Sequence, residues 1–161
     1  MIVTNSKFLA ILRRQKGIAV LECVIVLPLT LFMILAVAEI ANGILQYNAL
    51  THAVRDAARY IAEEAGAGAG VIQLTGTKIN ATKNLAAYGS ASSDPGYTGT
   101  ALLPGLSTAN VTVALFDTYN VRVAVEYPYQ PLFGPSLPAL AGISGAGGAF
   151  TMRTEVIMRV L

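Results

Sequence analysis

The feature that most limits the fold is a run of 21 residues, from Ile18 to Ala38, in which Glu22 is the only charged residue. A helix that rises about 1.5 Å per residue covers about 31 Å over this run, which matches a bilayer hydrocarbon core of about 30 Å. Charged residues make up only 12% of the chain, against roughly 25% in soluble domains. No second run is comparably apolar. The sequence therefore predicts a single transmembrane helix over residues 18–38.

The charges that precede this run predict its orientation. The first 16 residues contain no acid and four basic residues, which are Lys7, Arg13, Arg14 and Lys16. Because basic residues beside a membrane helix stay in the cytoplasm, we expect a cytoplasmic N-terminus and a periplasmic C-terminal region in a bacterial inner membrane. The rest of the chain carries seven basic and nine acidic residues. The pI of about 8.8 therefore reflects the terminus and does not indicate a nucleic-acid partner.

Glu22 is an unusual residue to find in such a run. A carboxylate at mid-bilayer costs roughly 2.5–3.5 kcal/mol on insertion scales, and less near an interface. Snorkelling or protonation would accommodate it without any function. The alternative is that the carboxylate pairs with a cation inside the lipid.

The residues before Glu22 offer such a cation. Cleavage after Gly17 would remove the basic leader, residues 1–17, and create an α-amine on Ile18. Glu22 would then be the fifth residue of the mature chain, one helical turn from an amine whose reference pKa is about 7.7–8.0. A paired amine and carboxylate avoid two separate desolvation costs. An unbranched glycine before the scissile bond also suits a protease.

Pro28 lies inside the predicted span. Its ring removes one backbone hydrogen bond and crowds the carbonyl of Val24, so a bend over residues 24–28 is expected. A proline that is merely tolerated in a membrane helix explains the residue equally well.

These residues carry a family resemblance. Basic residues, Gly17, four apolar residues, Glu22 and an apolar span with the pair Leu27-Pro28 resemble the type IV prepilin processing site. More narrowly, the chain resembles the TadE-like pseudopilins of the tight-adherence (Flp) pilus system, to which its last strand, with Met152-Arg153-Thr154-Glu155, is also similar. Cys23 departs from the pattern, since an aromatic residue is commoner there, and the large C-terminal region argues against the short major pilin.

The resemblance implies a non-enzymatic part in pilus biogenesis. Its expected partners are a prepilin peptidase that cuts between Gly17 and Ile18, other pilins and pseudopilins, the inner-membrane assembly machinery and the bilayer. It does not decide whether the product enters the fibre. Two other interpretations remain: an unprocessed single-pass anchor that displays a periplasmic binding domain, and a secreted enzyme released by cleavage after Ala38.

The helix is predicted to continue beyond the membrane. Apolar and small residues recur at helical spacing in the stripe Ile40, Ile44, Tyr47, Thr51, Val54, Ala58 and Ile61, which predicts an extramembrane continuation over residues 39–65. The glycine-rich residues 66–70 should end it. Ala49, Ala53 and Ala57 repeat every four residues beside the stripe, and this indicates a smooth second face for a neighbouring helix.

Residues 66–161 are predicted to form a small α+β domain. Residues 77–88 favour a short helix that ends at Gly89. Residues 110–116 and 120–127 alternate and should form a hairpin through Asp117-Thr118-Tyr119, and residues 150–161 alternate again. The expected fold is a small antiparallel sheet packed on the long helix. Leu132-Phe133 and an apolar segment over residues 137–143 fit either the core or an exposed patch for a partner or the membrane surface.

The sequence offers no set of residues for catalysis. Cys23 and His52 are the only cysteine and the only histidine, so one chain cannot build a disulfide or a Cys/His metal site. The glycine-rich stretches lack the Gly-Lys-Ser/Thr of a phosphate loop. We therefore expect no cofactor and no enzymatic activity.

Overall fold

The computed structural model describes residues 6–66, 72–133 and 150–160, with side chains from Ile18 onward. These residues form helices α1 (Ser6–Ala65) and α2 (Gly76–Tyr88), a 3₁₀ turn (Thr108–Asn110) and strands β1 (Val111–Leu115), β2 (Asn120–Pro128) and β3 (Thr151–Arg159). The predicted α+β class is confirmed. The glycine run after residue 66 and the apolar segment 137–143 lie outside the described residues.

Helix α1 is 60 residues long and includes Pro28. It ends at Ala65, so the predicted end near residue 64 is confirmed. The ammonium of Lys78 donates a 2.6 Å hydrogen bond to the carbonyl of Glu64, which satisfies one of the carbonyls that the end of a helix leaves without a partner. The chain divides into two compact units, residues 1–41 and 42–161, and α1 contributes to both.

The sheet is antiparallel, with the strand order β1-β2-β3. Val113 lies opposite Val123 in the first pair of strands, and Val125 lies opposite Thr154 in the second. The predicted hairpin is present between β1 and β2. Valine and threonine on alternate positions suit a pleated surface with one buried face.

Asp117 holds this hairpin turn together. Its carboxylate accepts hydrogen bonds from the backbone N–H of Tyr119 (2.7 Å) and of Asn120 (2.9 Å), and from the Asn120 side-chain amide (2.7 Å). These bonds, the Tyr119 one foremost, lower the pKa of Asp117 below its usual 3.8, because they stabilise the ionised form.

The hydrophobic core of residues 42–161 lies between α1, α2 and the sheet. Leu50, Val54, Ile61, Val123 and Tyr127 are among its fully buried side chains. The face of α1 that packs here differs from the predicted stripe at its N-terminal end, since Ile40, Ile44 and Tyr47 are exposed.

Two of the three alanines that were predicted to form a smooth face on α1 are buried within the domain. Ala53 is 8% exposed and Ala57 is fully buried, while Ala49 is exposed. Small residues allow the sheet and α2 to approach α1 closely, so two of the three alanines belong to the core of their own domain.

Candidate membrane-anchoring and subunit-pairing site

The N-terminal half of the described α1 exposes an apolar surface on all sides. The large apolar residues from Ile18 to Val37 expose between 37% and 66% of their surface, except Leu35, which is half-buried, and none of the most apolar 18-residue window is buried. Soluble monomeric proteins rarely expose a contiguous apolar surface of this size to water. An α-helix satisfies its own backbone hydrogen bonds and is therefore stable in lipid. Length and composition make this segment a candidate membrane span.

Glu22 is exposed on this apolar helix. It forms no ion pair with any residue whose side chain the structure describes. The three ion pairs found among those described side chains lie on the sheet. Ile18 lies one helical turn before it, about 6 Å along the axis, and both residues belong to α1. The geometry thus places the Glu22 carboxylate, which pairs with no cation among the side chains described from Ile18 onward, one helical turn from the residue that cleavage would make N-terminal.

Pro28 lies six residues after Glu22 and does not interrupt the helix assignment. Two residues further on, the hydroxyl of Thr30 donates a 2.9 Å hydrogen bond to the carbonyl of Leu27. Such a bond satisfies a backbone acceptor within lipid and often accompanies a local bend. The bend itself stays a prediction.

Beyond residue 41, polar side chains join α1 to the segment that follows β2. Gln46 is only 8% exposed, and its amide donates a 2.9 Å hydrogen bond to the carbonyl of Gln130. The amide of Asn42 donates a 3.2 Å bond to the hydroxyl of Tyr129. A Cβ added to Gly43 would lie 3.8 Å from the Tyr129 ring, so the ring packs against the helix at the glycine. Sequence reasoning missed this junction. The available signal was that Gln46 lies four residues before Leu50 and so shares its buried face.

The outer face of the sheet carries charged residues in pairs. Arg122 and Glu155 approach to 3.7 Å, and Arg153 lies 3.6 Å from Glu126 and 3.5 Å from Glu155. Pairs this exposed contribute about 0–1 kcal/mol each, so they support solubility more than stability. Within the described ranges no group of His, Cys, Asp and Glu side chains could hold a metal ion.

A candidate membrane helix is followed in the chain by a small α+β domain. Residues 17–59 match the family model of TadE-like proteins, and this confirms the resemblance seen in the sequence. The match lies within α1, begins at Gly17 and leaves the sheet uncovered. No curated protein and no solved structure matches the chain.

Proposed function

We propose that this chain is a minor pilin or pseudopilin of a tight-adherence (Flp) pilus, with no enzymatic activity. It is inserted in the bacterial inner membrane with its N-terminus in the cytoplasm and its C-terminal domain in the periplasm. A prepilin peptidase removes residues 1–17 by cutting after Gly17. The observation that carries the proposal is Glu22, a carboxylate exposed on an apolar helix, one turn from the new N-terminus. The family match, which begins at Gly17, supports it.

Cleavage changes the electrostatics of the helix end. The leader takes four basic side chains with it, and these are the charges that hold the precursor N-terminus at the cytoplasmic surface. One α-ammonium remains on Ile18. In lipid, a Glu22 carboxylate of one subunit and the Ile18 ammonium of its neighbour each cost several kcal/mol when unpaired, and pairing offsets most of that cost. Unpaired Glu22 therefore favours association of helices in the membrane.

The cleavage step is tested by co-expression with a prepilin peptidase, followed by intact mass measurement and N-terminal sequencing of the membrane fraction. We expect a chain that begins at Ile18. Gly17→Ala should keep the full-length mass. Gly43→Ala is the matched control in the same helix, because its added Cβ meets only ordinary contacts at 3.8–4.0 Å, and this variant should still be cleaved.

Three results would contradict this step. An unshortened wild-type chain would favour the unprocessed anchor. A soluble product that begins at Glu39 would favour the secreted protein. A Gly17→Ala chain cleaved as efficiently as the wild type would remove the role of Gly17.

The pairing step is tested separately with Glu22→Val and Glu22→Gln. Both variants should be cleaved normally, because Glu22 lies outside the scissile bond, and both should fail to support piliation. The glutamine variant keeps the size and polarity of the side chain and removes only the charge. Normal piliation with either variant would refute the ion pair while leaving the cleavage proposal intact.

A further inference from the structure

Strand β3 has an open side that the proposed function does not use. It lies at one end of the strand order β1-β2-β3, and no strand within the described residues pairs with its other side. Its nine residues pair with β2 without interruption, from Thr151 opposite Pro128 to Arg159 opposite Asn120. β3 therefore presents a continuous edge.

Two hydrogen bonds at the ends of this pairing fix which backbone groups face the open side. The N–H of Tyr129 donates to the carbonyl of Phe150 at 2.8 Å. The N–H of Val160 donates to the carbonyl of Tyr119 at 2.9 Å. Residues of an antiparallel strand bond alternately to one neighbour and to the other, so the even-numbered residues of β3 bond to β2. The odd-numbered residues direct their N–H and C=O groups to the open side, and these residues are Thr151, Arg153, Glu155, Ile157 and Arg159.

This edge lacks most of the features that prevent strand pairing in natural proteins. Edge strands are often short, or they carry lysine, proline, a bulge or an inward-pointing charge. β3 has nine residues and contains neither lysine nor proline, and its inward-facing side chains are uncharged. Its register with β2 has no bulge. The other edge strand, β1, has only five residues, so β3 is the edge that favours an added strand.

The charges on β3 indicate which kind of strand fits. Arg153 lies 3.6 Å from Glu126 and 3.5 Å from Glu155, and Arg122 lies 3.7 Å from Glu155, so these four side chains already pair within the sheet. Arg159 is exposed and forms no ion pair with any side chain described from Ile18 onward. β3 carries two arginines and one glutamate. Because opposite charges on facing residues of neighbouring strands attract, an acidic strand is the complementary partner.

We propose that the open edge of β3 binds an acidic strand of a different protein chain, which runs antiparallel to β3 and places an acidic residue opposite Arg159. Backbone hydrogen bonds to the odd-numbered residues provide the affinity, and the charge of Arg159 contributes the selectivity. A second copy of the chain fits less well. Its β3 offers one acid, Glu155, and placing that acid opposite Arg159 shortens the pairing to residues 155–159.

Amide hydrogen exchange of the full chain in mild detergent, resolved to single residues by fragmentation mass spectrometry, tests the open edge. We expect the N–H groups of Arg153, Glu155 and Ile157 to exchange about 100-fold or more faster than those of Thr154 and Val156, which bond to β2. Slow exchange at all five residues in dilute protein would mean that the edge is already covered, and would overturn the proposal. Protection of the odd-numbered residues that appears only at high protein concentration would assign the edge to a second copy.

The chemistry of the partner is tested with a labelled nine-residue peptide, whose binding to the full chain in the same detergent is followed by fluorescence anisotropy. In the antiparallel register the peptide has glutamate opposite Arg153 and Arg159 and lysine opposite Glu155, with valine or threonine elsewhere. The control peptide has these three charges reversed. We expect the first peptide to bind about tenfold or more tightly than the control. Equal affinity of the two peptides, or binding of neither, would overturn the proposal.

Two substitutions separate the backbone contribution from the charge. Ile157→Pro removes an N–H from the open side and leaves the bonds to β2 in place, a position where edge strands tolerate proline. It should keep the thermal stability of the wild type and bind the first peptide about tenfold or more weakly. Ile157→Thr keeps the N–H and should bind like the wild type. Arg159→Glu should reduce the preference for the first peptide about threefold or more.

The variants also define how the proposal fails. Wild-type binding by a folded Ile157→Pro chain would overturn the backbone pairing. If Ile157→Pro does not fold, the exchange rates at Arg153 and Glu155 of the wild type, measured with and without the peptide, decide the same point, because the peptide should slow both. An unchanged peptide preference in Arg159→Glu would remove the role of that charge. None of these measurements depends on cleavage after Gly17 or on piliation, so the two proposals fail separately.

Discussion

Tyr127 offers the sharpest test of how the domain is held together. Its side chain is fully buried, and its hydroxyl donates a 2.8 Å hydrogen bond to the carbonyl of Pro104. That bond fixes the loop that inserts Leu103 (7% exposed) and Leu106 (3% exposed) into the core. Tyr127→Phe keeps the ring and removes the donor, which leaves a carbonyl with one partner fewer. Loss of such a bond costs about 0.5–1.5 kcal/mol, and more where the acceptor stays buried.

The pH dependence of this difference gives a second test of the same bond. Burial raises the pKa of Tyr127 above its usual 10.0, because a buried phenolate is poorly solvated. The folded-state pKa therefore exceeds the unfolded value. The stabilising contribution is fully present below the unfolded pKa and is lost as the pH rises through the folded one.

The assay is urea unfolding of the full chain in mild detergent, followed by near-ultraviolet circular dichroism. We expect Tyr127→Phe to be less stable by about 1 kcal/mol at pH 7, and the gap to shrink as the pH rises above 10. Tyr119→Phe, at a residue that is 62% exposed, is the control and should match the wild type. Equal stability of Tyr127→Phe and the wild type at pH 7 would refute the reasoning, as would a gap that stays constant at high pH.

Three further predictions concern stability and use the same unfolding assay. Gly89 adopts φ = 70° at the end of α2, so Gly89→Ala should lower the stability by about 1–2 kcal/mol. Gly76→Ala is the control and should be neutral, because its added Cβ meets nothing within 4 Å. Equal effects of the two substitutions would contradict the conformational argument. Ile61→Ala should lower the stability by about 2–5 kcal/mol because Ile61 is fully buried. Ile157→Ala, at a residue that is 42% exposed, should lower it by about 1 kcal/mol or less. A larger loss of stability for Ile157→Ala than for Ile61→Ala would refute the assigned core. Because the pKa of Asp117 is lowered from 3.8, the contribution of this carboxylate to the free energy of unfolding is present above that value and is lost as the pH falls. The stabilities of the wild type and of Asp117→Ala should therefore converge in acid. A stability difference that widens in acid would contradict the hairpin bonds.

Local patterns in the sequence were sufficient for most of the secondary structure. The apolar run of residues 18–38, the end of α1 near Gly66, the stop at Gly89 and the alternation on either side of Asp117 each depend on neighbours within a few residues. Such signals act through backbone conformation and hydrogen bonding, which are local. The position of Glu22 relative to Gly17 and Ile18 is also local, because one helical turn separates them whatever the rest of the chain does.

Only the tertiary structure decided which side of α1 faces the sheet. Ile44 and Leu50 are both apolar, yet the first is 57% exposed and the second is buried. Gln46 is buried because its amide reaches the carbonyl of Gln130, 84 residues later in the chain. Helical periodicity predicts which residues share a face of α1. It does not predict whether that face packs in a protein core or contacts lipid, because apolar side chains suit both environments equally well. The choice depends on long-range contacts, which no pattern of near neighbours contains.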